Sequence, residues 1–199
     1  EFYALPLLFP SAEVAGKVYW DVLNEFCAEE YKDVVIVGTP TIAAANLFSN
    51  KPVHVPTDLA GQRVRLGGTI EGWVIEALGG TPVDIPTGEL ATSMERGVAD
   101  SCFLSWSFGL ITGVKDTTKY RTELNMFYRS FALVMNKDVW ESMPKVLQDG
   151  IMSVSNGEAT AAFNAANEAL AAEDKGAIEG AGKGAGLDPI YVPTADEIE

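Results

Sequence analysis

Along residues 62–108 the spacing of apolar and polar positions changes period several times, and each change marks an element. Arg63-Val64-Arg65-Leu66 alternates as a half-buried strand does. Gly67-Gly68 permits a sharp turn, and Thr69 stands where it can N-cap a helix over 70–78. Gly79-Gly80 offers that helix a left-handed stop. Residues 81–86 are expected to be extended, because the positions before Pro82 and Pro86 are pushed out of the helical region. Thr87 is placed to cap a second helix through Arg96, Gly97 ends it, and 98–104 reads as a third strand. Strands and helices alternating at this length predict an α/β fold with right-handed crossovers and a mostly parallel, doubly wound sheet. Ligands of such sheets sit beyond the carboxyl ends of the strands, against helix N-termini. That edge carries Arg65, Gly67, Gly68, Thr69, Thr87 and Trp106.

The flanking chain is read the same way. Residues 5–10 are apolar and bounded by prolines, which predicts a packed turn. Val14, Val18, Val22, Leu23 and Phe26 recur at helical spacing and predict a helix over 12–31, with Ser11 as its N-cap. The β-branched run 34–37 reads as a buried strand. Residues 39–50 read as a small, polar connection, 51–56 as an extended piece around two prolines, and 58–61 as a turn. A helix with a weak start is expected over 109–119 and a strand over 127–135. Asn136 is placed to cap a short helix around Val139 and Trp140. Pro144 then opens a long alanine-rich helix reaching Ala172 or beyond. The glycine-rich run 180–186 ends it, and Tyr191-Val192 reads as a last short strand.

Charge narrows the partners. The net charge of -14 excludes nucleic acid and anionic lipid surfaces, which demand concentrated Lys and Arg; solubility is its simplest reading. No apolar run approaches the length of a bilayer span, so the chain is not expected to be membrane-embedded. Glu1 to Pro6 has neither the basic start nor the apolar core of a secretory signal, and the opening without Met reads as the start of a fragment. Cys27 and Cys102 stand far apart with no CxxC pattern, so two buried free thiols are expected and no metal site.

Catalytic chemistry finds no support. His54 is the only histidine and has no carboxylate or cysteine cluster around it. Ser105 and Ser107 lack a GxSxG elbow and a base. The run 180–186 follows a helix rather than a strand, so it does not fit a phosphate loop. Arg65 is the sharpest candidate. At a strand end, beside a Gly-Gly turn and a helix start, it suits bidentate carboxylate binding. Its competing reading is a surface arginine paired with Glu71 or Asp84. Arg63 is read as pointing to the opposite face of the strand. Trp106 and Phe108 fit either the wall of a ligand pocket or core packing.

These residues resemble the extracytoplasmic solute-binding receptors of tripartite ATP-independent periplasmic (TRAP) transporters. The likeness is carried by LPLLF at 5–9, KPV..P.DLAGQRVR at 51–65, EALGGTPVDIP at 76–86, GEL...MERGVAD at 88–100, TKYRTE at 118–123, FALVMNKDVWESMP at 131–144 and LQDGI at 147–151. It covers nearly the whole chain. The resemblance implies a periplasmic-binding-protein type II-like α/β fold: two domains joined by hinge strands and a long helix, incomplete here at the N-terminus. Residues 1–42 and 130–170 would belong to domain I, and 43–129 with 171–199 to domain II. It implies a periplasmic, non-enzymatic monomer without cofactor that captures a small organic carboxylate and delivers it to TRAP permease subunits. The alternative is a sensory input domain of the same fold feeding a signalling partner. By the same resemblance Arg65 clamps the ligand carboxylate, Trp106 lines the pocket, and Gly68, Thr69, Thr87 and Ser130 contribute to the cleft. Two departures shape the expected ligand. The segment TPTIAAANLFSN lacks the arginine many relatives carry there, and Leu104 replaces an asparagine of sugar-acid binders. Both favour a small monocarboxylate or an oxo or hydroxy acid over a polyhydroxylated sugar acid.

Overall fold

A computed structural model describes residues 5–155 and 157–198; the reading of the first four residues, and the part of the long-helix expectation that falls on residue 156, lie outside them. In chain order the elements are α1 (Ala12–Phe26), β1 (Val34–Gly38), β2 (Thr41–Ser49), β3 (Arg63–Arg65), α2 (Thr69–Ala77), β4 (Thr81–Val83), α3 (Leu90–Glu95) and β5 (Ser101–Leu104). There follow α4 (Trp106–Ile111), α5 (Val114–Thr117), β6 (Tyr120–Ser130), β7 (Leu133–Asn136), α6 (Lys137–Ser142), α7 (Lys145–Val154), α8 (Gly157–Gly184) and α9 (Ala195–Ile198).

Five strands form one sheet in the order β4-β3-β5-β2-β6, and β1 pairs with β7 in a separate antiparallel ribbon. The larger sheet is mixed rather than mostly parallel. β3 runs parallel to β4 and β5, whereas β2 runs antiparallel to β5 and β6. The source of the difference is β2, a nine-residue strand where a polar connection was expected. Its small residues carry little local signal, and its pairing partners lie far along the chain, so tertiary packing decides its conformation.

Alternation along the central strands builds two apolar layers. Phe48, Cys102 and Leu104 pack to one side with Leu90, Met94 and Ile178. Leu47 and Phe103 pack to the other with Val64, Ile75 and Phe127. Phe48, Leu47 and Phe103 are fully enclosed, as expected where both faces of a sheet are covered.

β2 and β6 pair with register shifts on either side of Ala45. Asn125 in β6 adopts φ +48°, and its N–H donates to Asn46 Oδ1 at 3.0 Å. Asn46 Nδ2 in turn donates to the Ala44 carbonyl at 3.1 Å, so one buried side chain replaces ladder bonds at the irregularity. Where the chain passes from β1 to β2, α8 supplies the partners. Asn164 Oδ1 accepts from Thr41 N at 2.9 Å, and Asn167 Nδ2 donates to the Thr41 carbonyl at 3.1 Å. Gly16 of α1 is required here, because a Cβ would fall 2.0 Å from Asn164 Nδ2.

Several boundaries differ from the sequence reading. Thr69 is the first helical residue of α2, and Gly68 occupies the cap with no side-chain bond. Thr87 opens a 3-10 turn ahead of α3 rather than capping a regular helix. The helix after Phe108 begins earlier, at Trp106, capped by Ser105. The expected strand over 127–135 is divided between β6 and β7, and the expected long helix between α7 and α8, with Ser155 as the cap of α7. Val154, Ser155 and Gly157 are weak helix formers, which accounts for the break. α8 continues through Gly180 to Gly184, and Tyr191 makes a single parallel bridge to Thr122. Asn136 does cap α6, accepting from Val139 N at 3.1 Å. Both cysteines are free, but only Cys102 is buried; Cys27 ends α1 next to the exposed Phe26.

Candidate functional site

β3 ends at Arg65, whose neighbours in register are Val83 of β4 and Cys102 of β5. The half-buried Arg65 donates from Nε to the Ile85 carbonyl at 3.1 Å and from Nη2 to Thr87 Oγ1 at 3.2 Å. Both acceptors are neutral. Among the described residues no carboxylate pairs with this arginine. Of its five N–H donors two are spent, leaving the Nη1–Nη2 edge available to a bidentate anion. Arg65 and Thr87 are thus joined directly. Gly67, Gly68 and Thr69 follow on the chain, all exposed, and lead into α2, whose N-terminal amides receive no side-chain cap. Such a start presents free donors and the positive end of the helix dipole.

Arg63 lies on the same side of the pleat as Arg65, not the opposite one, because residues two apart in a strand share a face and Val64 between them points into the core. What separates the two arginines is position along the strand. Glu71, a suggested partner for Arg65, pairs instead with Arg129 of β6 at 2.7 Å. Arg129 also donates to the Phe103 carbonyl at 3.2 Å. Glu71 is 4% exposed, and its Oε1 has no partner among the described residues. Gly67 makes room for this pair, since a Cβ would stand 2.5 Å from Glu71 Oε2. These charges gather around Cys102. Burial pushes its thiol up to about 12; Arg65 and Arg129 oppose the rise and Glu71 adds to it. A thiol in this state is unreactive near neutral pH.

Trp106 is buried and meets Phe48 edge-on at 5.4 Å. It lines a cavity of about 350 Å³ with Asn46, Asn125, Tyr128, Glu168 and Lys175, and Arg65 is not on that wall. Tyr128 is raised to about 12, chiefly by burial and then by Glu168. Ser130 is also buried, and its hydroxyl already shares a 2.8 Å hydrogen bond with Thr41. The structure therefore joins Arg65 to Thr87 and leads from it to Gly68 and Thr69, while Trp106 and Ser130 occupy separate surroundings. Sequence reasoning missed Arg129 and Asn46, and named Glu71 only as a partner for Arg65. A lone arginine inside the apolar run Met126-Phe127-Tyr128-Arg129 is the signal that could have found the first.

A mixed α/β sheet with an unpaired guanidinium and an uncapped helix start at its strand ends defines a protein suited to small anionic solutes. The comparisons give that class a family. Residues 1–189 match the family model DctP, Bacterial extracellular solute-binding protein, family 7, and the chain belongs to that family. It is 28% identical over 127 residues to a solute-binding protein of Albidiferax ferrireducens, covering 62% of this chain and 37% of that one. It is 24% identical over 200 residues to the C4-dicarboxylate-binding periplasmic protein DctP of Rhodobacter capsulatus, covering 99% and 59%. Its fold matches a TRAP solute-binding protein of Rhodoferax ferrireducens, solved with copurified benzoate, at a TM-score of 0.88 and 21% identity, covering 98% and 61%. Where the match takes in nearly the whole chain, it spans about 60% of the length of the relative.

Proposed function

We propose that this chain is part of a periplasmic receptor that captures a small organic carboxylate and delivers it to a TRAP-type permease. Family membership supports the solute-binding role. The observation that carries the ligand class is Arg65: a guanidinium held in place by two neutral acceptors, with no carboxylate of its own among the described residues. In this reading the ligand carboxylate bridges Nη1 and Nη2, the amides at Gly68 and Thr69 face the same charge, and Thr87 fixes the guanidinium. Trp106 walls a neighbouring part of the cleft, and Ser130 joins only if its bond to Thr41 opens. The relatives named above take benzoate and C4-dicarboxylates, so a carboxylate is the shared chemistry on which the proposal rests.

The same reading divides the chain into residues 1–42 with 130–170 and 43–129 with 171–199, linked by β2, β6 and α8. Support comes from the separate β1–β7 ribbon and from the irregular pairing around Ala45 and Asn125. Phe131, Leu133, Val134 and Val146 stay exposed on and near that ribbon, a face that further chain of a family-length receptor would cover. Closure follows if the ligand touches both domains only in the shut state.

Calorimetry on the full-length receptor with a panel of small carboxylates tests the proposal. Arg65→Ala is expected to lower affinity at least a hundredfold, within the ~2–5 kcal/mol typical of losing one partner of a buried charge pair. Near-native affinity in that variant would count against it.

A further inference from the structure

A second guanidinium reaches the turn that leads from Arg65 into α2. Arg129 comes to it from β6, and Gly67, two residues past Arg65, shows how closely. A Cβ there would stand 2.5 Å from Glu71 Oε2, 2.8 Å from Arg129 Nη2 and 3.0 Å from Arg129 Nε. The Arg129–Glu71 pair therefore lies directly against the backbone that joins Arg65 to the uncapped amides at the start of α2. The sheet register agrees: Cys102 stands beside Arg65, and its thiol feels the charges of Arg65, Glu71 and Arg129 together.

Two free guanidinium groups would suit a dicarboxylate, one arginine for each acid group. Here the second arginine is answered from within the protein. Arg129 Nη2 donates to Glu71 Oε2 at 2.7 Å and to the Phe103 carbonyl at 3.2 Å. Glu71 is 4% exposed, and its Oε1 is enclosed without a partner among the described residues, so water screens its charge poorly. The Arg129 side chain keeps 19% of its surface exposed. A second acid group arriving there would meet a guanidinium already paired and a buried negative charge behind it. Like charges brought together in such surroundings repel strongly. Arg65, Arg129 and Glu71 leave one net positive charge, which matches one carboxylate and not two.

We propose that Glu71 sets the charge class of the ligand: by neutralising Arg129 beside the Arg65 site, it admits monocarboxylates and turns dicarboxylates away. The inference rests on the reading of Arg65 given above and adds the residue that discriminates. Glu71 works against the wrong ligand rather than for the right one. Family membership does not decide the point, since the relatives above are named for C4-dicarboxylates or solved with benzoate.

Calorimetry on the full-length receptor at neutral pH tests this with two matched pairs, butyrate against succinate and benzoate against isophthalate. In at least one pair, wild type should bind the monocarboxylate about tenfold more tightly than its dicarboxylate, or better. Glu71→Gln keeps the shape and an acceptor for Arg129 while removing the charge. It should raise dicarboxylate affinity and narrow that gap by about tenfold. A merely structural role would weaken both members of a pair alike and leave their ratio unchanged, which would overturn the proposal. Arg65→Ala separates the two readings. If it abolishes binding while Glu71→Gln leaves the ratio unmoved, only the role of Glu71 falls; binding that survives Arg65→Ala removes the site on which that role rests. Should Glu71→Gln fail to fold, the wild-type ratio decides. Dicarboxylates bound as tightly as their monocarboxylate partners, or no binding of any of the four, would overturn the proposal.

Discussion

Arg63 and Arg65 share a three-residue strand and one face of its pleat, yet their surroundings differ completely. At the amino end, Arg63 Nε and Nη2 each meet an Asp100 oxygen at 3.2 Å, and the Arg63 backbone N–H donates to the same carboxylate at 2.9 Å. Lys51 adds a further contact at 3.2 Å. At the carboxyl end, Arg65 meets, among the described residues, only a carbonyl and a hydroxyl. The first cation is consumed in joining β3 to the segment before β5. The second is oriented but not neutralised. Counting arginines would not separate them; asking whether each carries a counter-charge does. Arg129, neutralised by the buried Glu71, falls with Arg63.

The largest effect expected from testing this contrast is at Arg129. Arg129→Ala leaves the Glu71 carboxylate buried without its partner and should cost about 3–5 kcal/mol of stability in urea denaturation. A loss under about 1 kcal/mol would place that pair with ordinary surface ion pairs. Next comes Asp100. Its burial alone would raise the carboxyl pKa, but hydrogen bonds from Arg63 and Lys51 outweigh that and hold it at about 2. A folded pKa below the unfolded one gives stability that is fully present above the unfolded value and is lost as pH falls toward about 2. Asp100→Asn should therefore cost about 1–2 kcal/mol near neutral pH. Its disadvantage against wild type should shrink between about pH 4 and 2. A gap constant down to pH 2 would contradict this. The smallest effect is at Thr87. Thr87→Val removes one neutral hydrogen bond from Arg65 and should weaken carboxylate binding about fivefold, near 1 kcal/mol. An unchanged affinity would show that the Ile85 carbonyl alone orients the guanidinium.

Much of the unit from β3 to β5 was legible because its signals are local. Glycine at 67–68, 79–80 and 97 and proline at 82 and 86 punctuate elements within a few residues of themselves, and Gly79 and Gly97 do take positive φ. β2 was not legible, since TIAAANLFS has neither a strong alternation nor β-branched bulk and becomes a strand through β5 and β6. The site divided along the same line. Arg65 and its turn could be read in place, whereas the Glu71–Arg129 pair joins positions 58 residues apart and exists only in the folded chain. The placement of Arg63 failed for a simpler reason: strand periodicity puts it beside Arg65, and only the distant Asp100 distinguishes them.

The central claim is that Arg65 is the cation that receives an acid group. Most directly, it is tested by a crystal structure of the full-length receptor with a bound small carboxylate. The account predicts carboxylate oxygens about 2.7–2.9 Å from Nη1 and Nη2 of Arg65, with the bonds to Ile85 and Thr87 kept. A carboxylate bound elsewhere, with Arg65 free in solvent or paired to a protein carboxylate, would contradict it.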